Sequence, residues 1–155
     1  MEEVWMMTGI AHIGFTVSDL DRSVAFYRDV LGLHYQGEMT MGGPETAALF
    51  QQEGCQARVA YLLPEDPKAP PVELIQFLDQ VAEPGHPSLF RTSISELCFA
   101  TDDIDREYER LREKGVRFLS APQTFDSSKY GFGKSRAVYF FDPDENILEL
   151  IQPLD

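Results

Sequence analysis

The chain has 155 residues, 43% hydrophobic and 25% charged, with a formal net charge of −13. That balance is typical of an ordinary globular protein and excludes a disordered one; so acidic a chain, without a run of Lys and Arg, also excludes nucleic acid as its main partner. No basic N-terminal segment precedes an apolar stretch and no apolar run approaches the roughly 20 residues of a membrane span, so a cytoplasmic protein is expected.

Residues 1 to 8 show no period and are expected to be a lead-in without functional groups. Residues 10 to 17 alternate, with Ile13, Phe15 and Val17 on one face and His12, Gly14 and Thr16 on the other, the period of a half-buried strand. Asp19 or Asp21 then caps a helix whose apolar face is Leu20, Val24, Tyr27 and Leu31, and Gly32 ends it. Extended pieces are expected over 34–39, 46–51, 58–63 and 72–77, with turns at Gly42-Gly43-Pro44 and in the proline-rich stretch Pro64 to Pro71. A linker from Asp79 to Thr92 carries Pro84, Gly85 and Pro87. Beyond it a second strand and helix follow, the helix with Ile104, Tyr108 and Leu111 on one face and Gly115 at its end. Extended pieces are then expected over 116–120, 123–125, 137–141 and 147–152, the last two joined by a turn at Asp142-Pro143-Asp144-Glu145-Asn146. Cys55 and Cys98 show no CxxC spacing, and Cys98, in an apolar run, is expected to be a buried, inert thiol.

The chain is an internal duplication. Glu-Leu-Ile-Gln occurs at 73–76 and at 149–152, and the openings 11–21 and 95–105 superpose at an offset of 84, with Phe15 on Phe99, Asp19 on Asp103 and Asp21 on Asp105. The closing motifs are offset by 76, so the first repeat holds eight more residues, and the proline-rich stretch is the expected place for most of them. Each repeat reads as βαβββ, which makes the chain an α+β protein of two tandem modules, 9–78 and 93–153, joined by the linker 79–92. Helices would cover the outer face of a curled mixed sheet with a central cavity.

Alternation in the closing strands sets Glu73 beside Ile75 and Phe77, and Glu149 beside Ile151; the opening strands leave His12 and Glu96 on the face away from the helices. If the sheet curls, two related repeats bring His12, Glu73, Glu96 and Glu149 toward one centre. Three carboxylates cannot share a dry cavity without protonation or a cation, and a divalent metal would resolve the conflict.

With the His-x-Gly-Phe-x-Val-x-Asp-Leu-Asp opening, the run Ser23 to Leu33 and the ending from Val138 through Asp142-Pro143-Asp144 to Glu149, residues 9 to 153 resemble the vicinal oxygen chelate superfamily of glyoxalases, bleomycin-resistance proteins and extradiol dioxygenases. The resemblance implies metal ligands at His12, Glu73, Glu96 and Glu149, and a metal that activates a substrate through adjacent oxygens and stabilises an enolate or oxyanion. Many metal-binding members have His where this chain has Glu96, and the extradiol dioxygenases use two His and one carboxylate on iron, a set this chain lacks. Glyoxalase I and methylmalonyl-CoA epimerase types are nearer.

One imidazole and three carboxylates form a hard, oxygen-rich set that favours Mn, Mg, Fe or Ni over Zn. A metal-dependent isomerase or lyase for a small carbonyl or thioester substrate follows, with Glu149 and Glu96 as the catalytic carboxylates; Glu96 is a ligand, a general base or a salt-bridged group. The rival reading is a small-molecule binding protein of the bleomycin-resistance kind, whose acidic surface suits a cationic aromatic ligand. Candidate ligand contacts are Phe50, Tyr61, Phe77, Tyr130, Phe132, Lys134, Arg136 and Tyr139, with Tyr130 to Lys134 in a Gly-flanked loop. His34 and His86 fall outside the repeated positions and read as structural or surface groups. A homodimer is expected.

Overall fold

The computed structural model describes residues 1–2 and 6–154; the lead-in expected over residues 1 to 8 therefore lies partly outside the described residues. The first repeat opens with β1 (Ile13–Thr16) and α1 (Leu20–Ala25), which passes directly into a π-helical stretch, Phe26–Val30. It continues through β2 (His34–Met41), α2 (Pro44–Phe50), β3 (Ala57–Leu63) and β4 (Val72–Phe77). The second repeat comprises β5 (Leu97–Ala100), α3 (Ile104–Glu113), β6 (Gln123–Asp126), a 3-10 turn at Ser128–Tyr130, β7 (Lys134–Phe141) and β8 (Ile147–Pro153). Each forms a four-stranded mixed sheet, ordered β1-β4-β3-β2 and β5-β8-β7-β6, with only the first and last strands of the repeat parallel. This is the α+β, tandem βαβββ fold expected. Two compact units result, Met1–Glu83 and Pro84–Asp155, and among the described residues no helix is long and apolar enough to cross a membrane.

Within each module the alternating strand residues and the helical stripe meet. Leu20, Val24 and Tyr27 are buried with Leu62, Val72 and Leu74, and the Phe15 and Tyr27 rings lie 6.3 Å apart. In the second module Ile104 and Leu111 are buried with Val138, Phe140, Leu148 and Leu150, and Tyr108, Phe118 and Phe140 stack in series at 4.7 and 5.4 Å. Asp19 and Asp103 cap the helices, accepting from the backbone N–H groups of Arg22 and Arg106 at 3.0 and 3.1 Å.

Strand alternation also explains why the repeated tetrapeptide ends in Gln. Gln76 and Gln152 lie on the helix side, where their Oε1 atoms accept from the backbone N–H groups of Leu20 (2.7 Å) and Ile104 (3.0 Å). Leu20 and Ile104 are fully buried, so losing either acceptor would orphan a helix-terminal donor, at about 1–3 kcal/mol. Arg58 donates to Asp21 (2.8 Å), and Arg136 donates to Asp105 (2.6 Å). The acidic residues that follow the caps are thus tied to the sheet by ion pairs while their side chains stay largely exposed.

Strand register corrects the expected position of the extra residues. Thr40 pairs with Arg58 and Thr124 with Arg136; Tyr61 pairs with Glu73 and Tyr139 with Glu149. The offset between repeats is therefore 84 through β2 and β6, 78 at β3 and β7, and 76 at β4 and β8. Six of the eight extra residues lie in the connection that carries α2, and only two in the proline-rich stretch. The strand expected over 46–51 is that helix: Gly43 at φ 92° turns the chain, Pro44 starts it, and Gln51 in the left-handed region ends it. The strand expected over 116–120 is a single bridge from Phe118 to Phe140, because Pro122 interrupts the edge that β2 runs continuously in the first module.

Candidate functional site

In β4, Val72 and Leu74 are buried under the helix, which turns Glu73 to the opposite face between Gly14 of β1 and Tyr61 of β3. The Tyr61 hydroxyl donates to Glu73 Oε2 at 2.6 Å, and His12 Nε2 lies 3.4 Å from the same oxygen. Glu73 is well covered, with 18% of its side chain exposed, whereas His12 is 45% exposed. The His12 and Tyr61 rings meet edge-on, 6.1 Å apart. A Cβ at Gly14 would sit 3.4 Å from Glu73 Oε1, at van der Waals contact. The Tyr61 hydroxyl, bonded to Glu73 and partly desolvated beside its charge, has its pKa pushed up to about 12.

Farther along this face the first module is filled from within. Ala57, Val59 and Ile75 form a buried cluster with Met41, Phe50, Tyr61 and Phe77 packed against it. Phe50 of α2 meets Phe77 edge to face at 5.1 Å. Phe50 and Phe77, expected as ligand contacts, are thus engaged with each other and with this cluster.

In the second module Glu149 stands on the corresponding face, between Cys98 of β5 and Tyr139 of β7. Ser95 donates a hydrogen bond to Glu96 from the adjacent position. Burial raises the pKa of Glu149 and the Glu96 charge raises it further, against a lowering hydrogen bond from Cys98. The Tyr139 hydroxyl is raised by burial and then by Glu149, Glu96 and Cys98. Cys98, expected to be buried, is exposed, because it points away from α3 while Leu97 and Phe99 take the helix side. Its thiol is nonetheless pushed up to about 12, first by partial desolvation and then by Glu149 and Glu96. Cys98 is the register counterpart of Gly14, a correspondence visible in the sequence offset of 84.

Among the described residues no counterpart of α2 covers this second face. Phe125, the counterpart of Met41, is exposed, and in the β6–β7 connection Tyr130 and Phe132 are 66% and 83% exposed. Lys129 Nζ lies 4.8 Å from the centre of the Tyr130 ring, and Lys134 is exposed at the start of β7. Arg136, expected as a ligand contact, is turned to the helix side by its bond to Asp105.

Each module therefore brings together one pair of the four expected metal-ligating residues, His12 with Glu73 and Glu96 with Glu149. Among the described residues no three His, Cys, Asp or Glu side chains gather closely enough to hold a metal ion. The donors fit a divalent cation in kind. A cation would also relieve the repulsion that the Glu96 charge exerts on Glu149.

Residues 9–150 match the family model of the Glyoxalase/Bleomycin resistance protein/Dioxygenase superfamily. The chain belongs to this superfamily. It is 30% identical over 149 residues to a 2-epi-5-epi-valiolone epimerase from Actinomyces sp, an alignment covering 92% of this chain and 78% of that one. A glyoxalase family protein from Bacillus cereus has the same fold, with a TM-score of 0.83 at 18% identity and all of both chains covered. TnmS3, an antibiotic binding protein from Streptomyces sp. CB03234, shares the fold at a TM-score of 0.64 and 21% identity, covering 97% of this chain and 99% of that one.

Proposed function

We propose that this glyoxalase-superfamily protein is an epimerase-like isomerase or lyase that moves a proton at the carbon beside a substrate carbonyl or thioester. The observation that carries the reading is the repeated Glu on the face opposite each helix, joined by His12 in one module and by Glu96 in the other. His12, Glu73, Glu96 and Glu149 would serve as ligands for divalent metal, with Mn, Mg, Fe or Ni favoured over Zn by the oxygen-rich set. The cation would polarise the substrate carbonyl and so acidify the adjacent carbon. Glu149, desolvated and beside Glu96, has a pKa raised toward the range where a carboxylate both takes and returns a proton. Glu96 is its partner in that exchange or a ligand. The activity of the Actinomyces relative, an epimerase, supports this reaction class. The protein would work in the cytoplasm as a homodimer.

Deuterium exchange tests the proposal. Protein loaded with Mn or Ni is incubated in D2O with a panel of cyclic ketones and branched acyl thioesters, and label at the carbon beside the carbonyl is read by mass spectrometry. The expected result is label with the native protein and none with Glu149→Gln; equal label with both would refute the assignment.

A second reading, a binding protein for a cationic aromatic compound, is favoured by the exposed Tyr130 and Phe132 on a chain of net charge −13. Micromolar binding of such a compound by metal-free protein, with no exchange on any substrate, would establish it instead.

A further inference from the structure

The two modules hold their carboxylates differently. Register gives each Glu a tyrosine on the neighbouring antiparallel strand and a small residue on the parallel one: Tyr61 and Gly14 for Glu73, Tyr139 and Cys98 for Glu149. Only Tyr61 closes the contact, at 2.6 Å; among the described residues no hydrogen bond joins Tyr139 to Glu149. Glu73 Oε2 takes the tyrosine proton, and Oε1 lies over the space that Gly14 leaves empty. A carboxylate held at one oxygen by a hydrogen bond does not turn freely about its last bond. His12 Nε2 then stands 3.4 Å from Oε2.

Resting on the metal-dependent reading above, we infer that Tyr61 is a positioning residue, not a ligand contact: it orients the Glu73 carboxylate beside His12 and so sets the affinity of the first module's donors for a divalent cation. An outer hydrogen bond of this kind to a metal-ligating carboxylate sets affinity by roughly 10- to 100-fold. Gly14 is the second part of the same device, since a Cβ there would already touch Oε1 at 3.4 Å and a branched side chain adds bulk beyond that contact.

The test is Mn2+ binding by isothermal titration calorimetry to the native protein and to Tyr61→Phe, Tyr139→Phe and Gly14→Val, each with a thermal unfolding curve of the metal-free form. The expected result is that Tyr61→Phe weakens Mn2+ binding by roughly tenfold while its metal-free form unfolds as a single folded population, and that Tyr139→Phe stays within about twofold of native. Gly14→Val should also weaken binding. Native affinity in Tyr61→Phe would overturn the inference while leaving the metal-dependent reading intact, and so would an equal loss in Tyr139→Phe. A native protein that binds no Mn2+, Ni2+ or Fe2+ would overturn both.

Discussion

On the helix side the two modules repeat each other almost contact for contact: Gln76 and Gln152 accept from the buried helix starts, Asp19 and Asp103 cap, and Arg58 and Arg136 hold Asp21 and Asp105. On the opposite face they part. The first module ties Glu73 to Tyr61 and fills the rest with α2; the second leaves Glu149 desolvated beside Glu96 and exposes Phe125, Tyr130 and Phe132. The difference teaches that the fold is held by one set of positions and the candidate chemistry by another. A β-strand makes this division possible, because adjacent residues on one strand serve opposite faces.

Substitutions should separate the faces, and the largest stability effect belongs to the face that only one module fills. Phe50→Ala should destabilise the first module by about 2–3 kcal/mol, below the value for a fully buried Phe because Phe50 is half-buried, and should leave the second unchanged. Urea unfolding followed by hydrogen exchange in each module would show it. Next come the shared ties: Gln76→Ala and Gln152→Ala should each cost about 1–2 kcal/mol, and similar losses in both would bear out their equivalence. A loss in one alone would mean that the duplicated contact is not a duplicated energy.

The two smaller effects depend on pH and have opposite signs. Glu149 has its pKa raised above the ordinary 4.5, so its ionised form costs stability above that raised value, and the cost is relieved as pH falls toward 4.5. Glu149→Gln should therefore raise the urea midpoint at pH 7, with the gain shrinking to nothing below 4.5. Asp105 is held below its ordinary 3.8 by the hydrogen bond from Arg136, so its stabilisation is present above 3.8 and lost as pH falls through the depressed value. Asp105→Asn should lower the midpoint slightly at pH 7 and leave it unchanged near pH 2. A fixed gain or loss across the range, in either variant, would contradict the assigned causes.

Much of the fold is legible in the residues. Alternation and the repeated opening and closing motifs give the strands and the βαβββ order, because a face buried under a helix must be apolar every second residue. The segment 46–51 misleads because Thr-Ala-Ala-Leu-Phe suits a short helix as well as a strand, and the Gly43-Pro44 start decides for the helix only once β2 is in place. Prolines mark loops, which points most of the eight extra residues to the Pro-rich segment; register, which no local composition reveals, puts six of them around α2. Of the candidate site, His12 and Glu73 meet directly and Glu149 feels Glu96, as alternation suggests. Arg136 does not face that way: strand parity sets it on the side of Gln152, where Asp105 takes its charge. The Gln ties could have been read from the repeated tetrapeptide itself, since a polar residue two places beyond a buried Leu needs a partner on the helix side.

The central claim is that Glu73 and Glu149, the repeated carboxylates, are ligands of a divalent cation. It is tested most directly by elemental analysis of untagged protein after loading with a divalent-metal mixture and desalting, beside Glu73→Gln and Glu149→Gln. The account predicts close to one metal ion per chain in the native protein and almost none in either variant. A native protein without metal, or full retention by either variant, would contradict it.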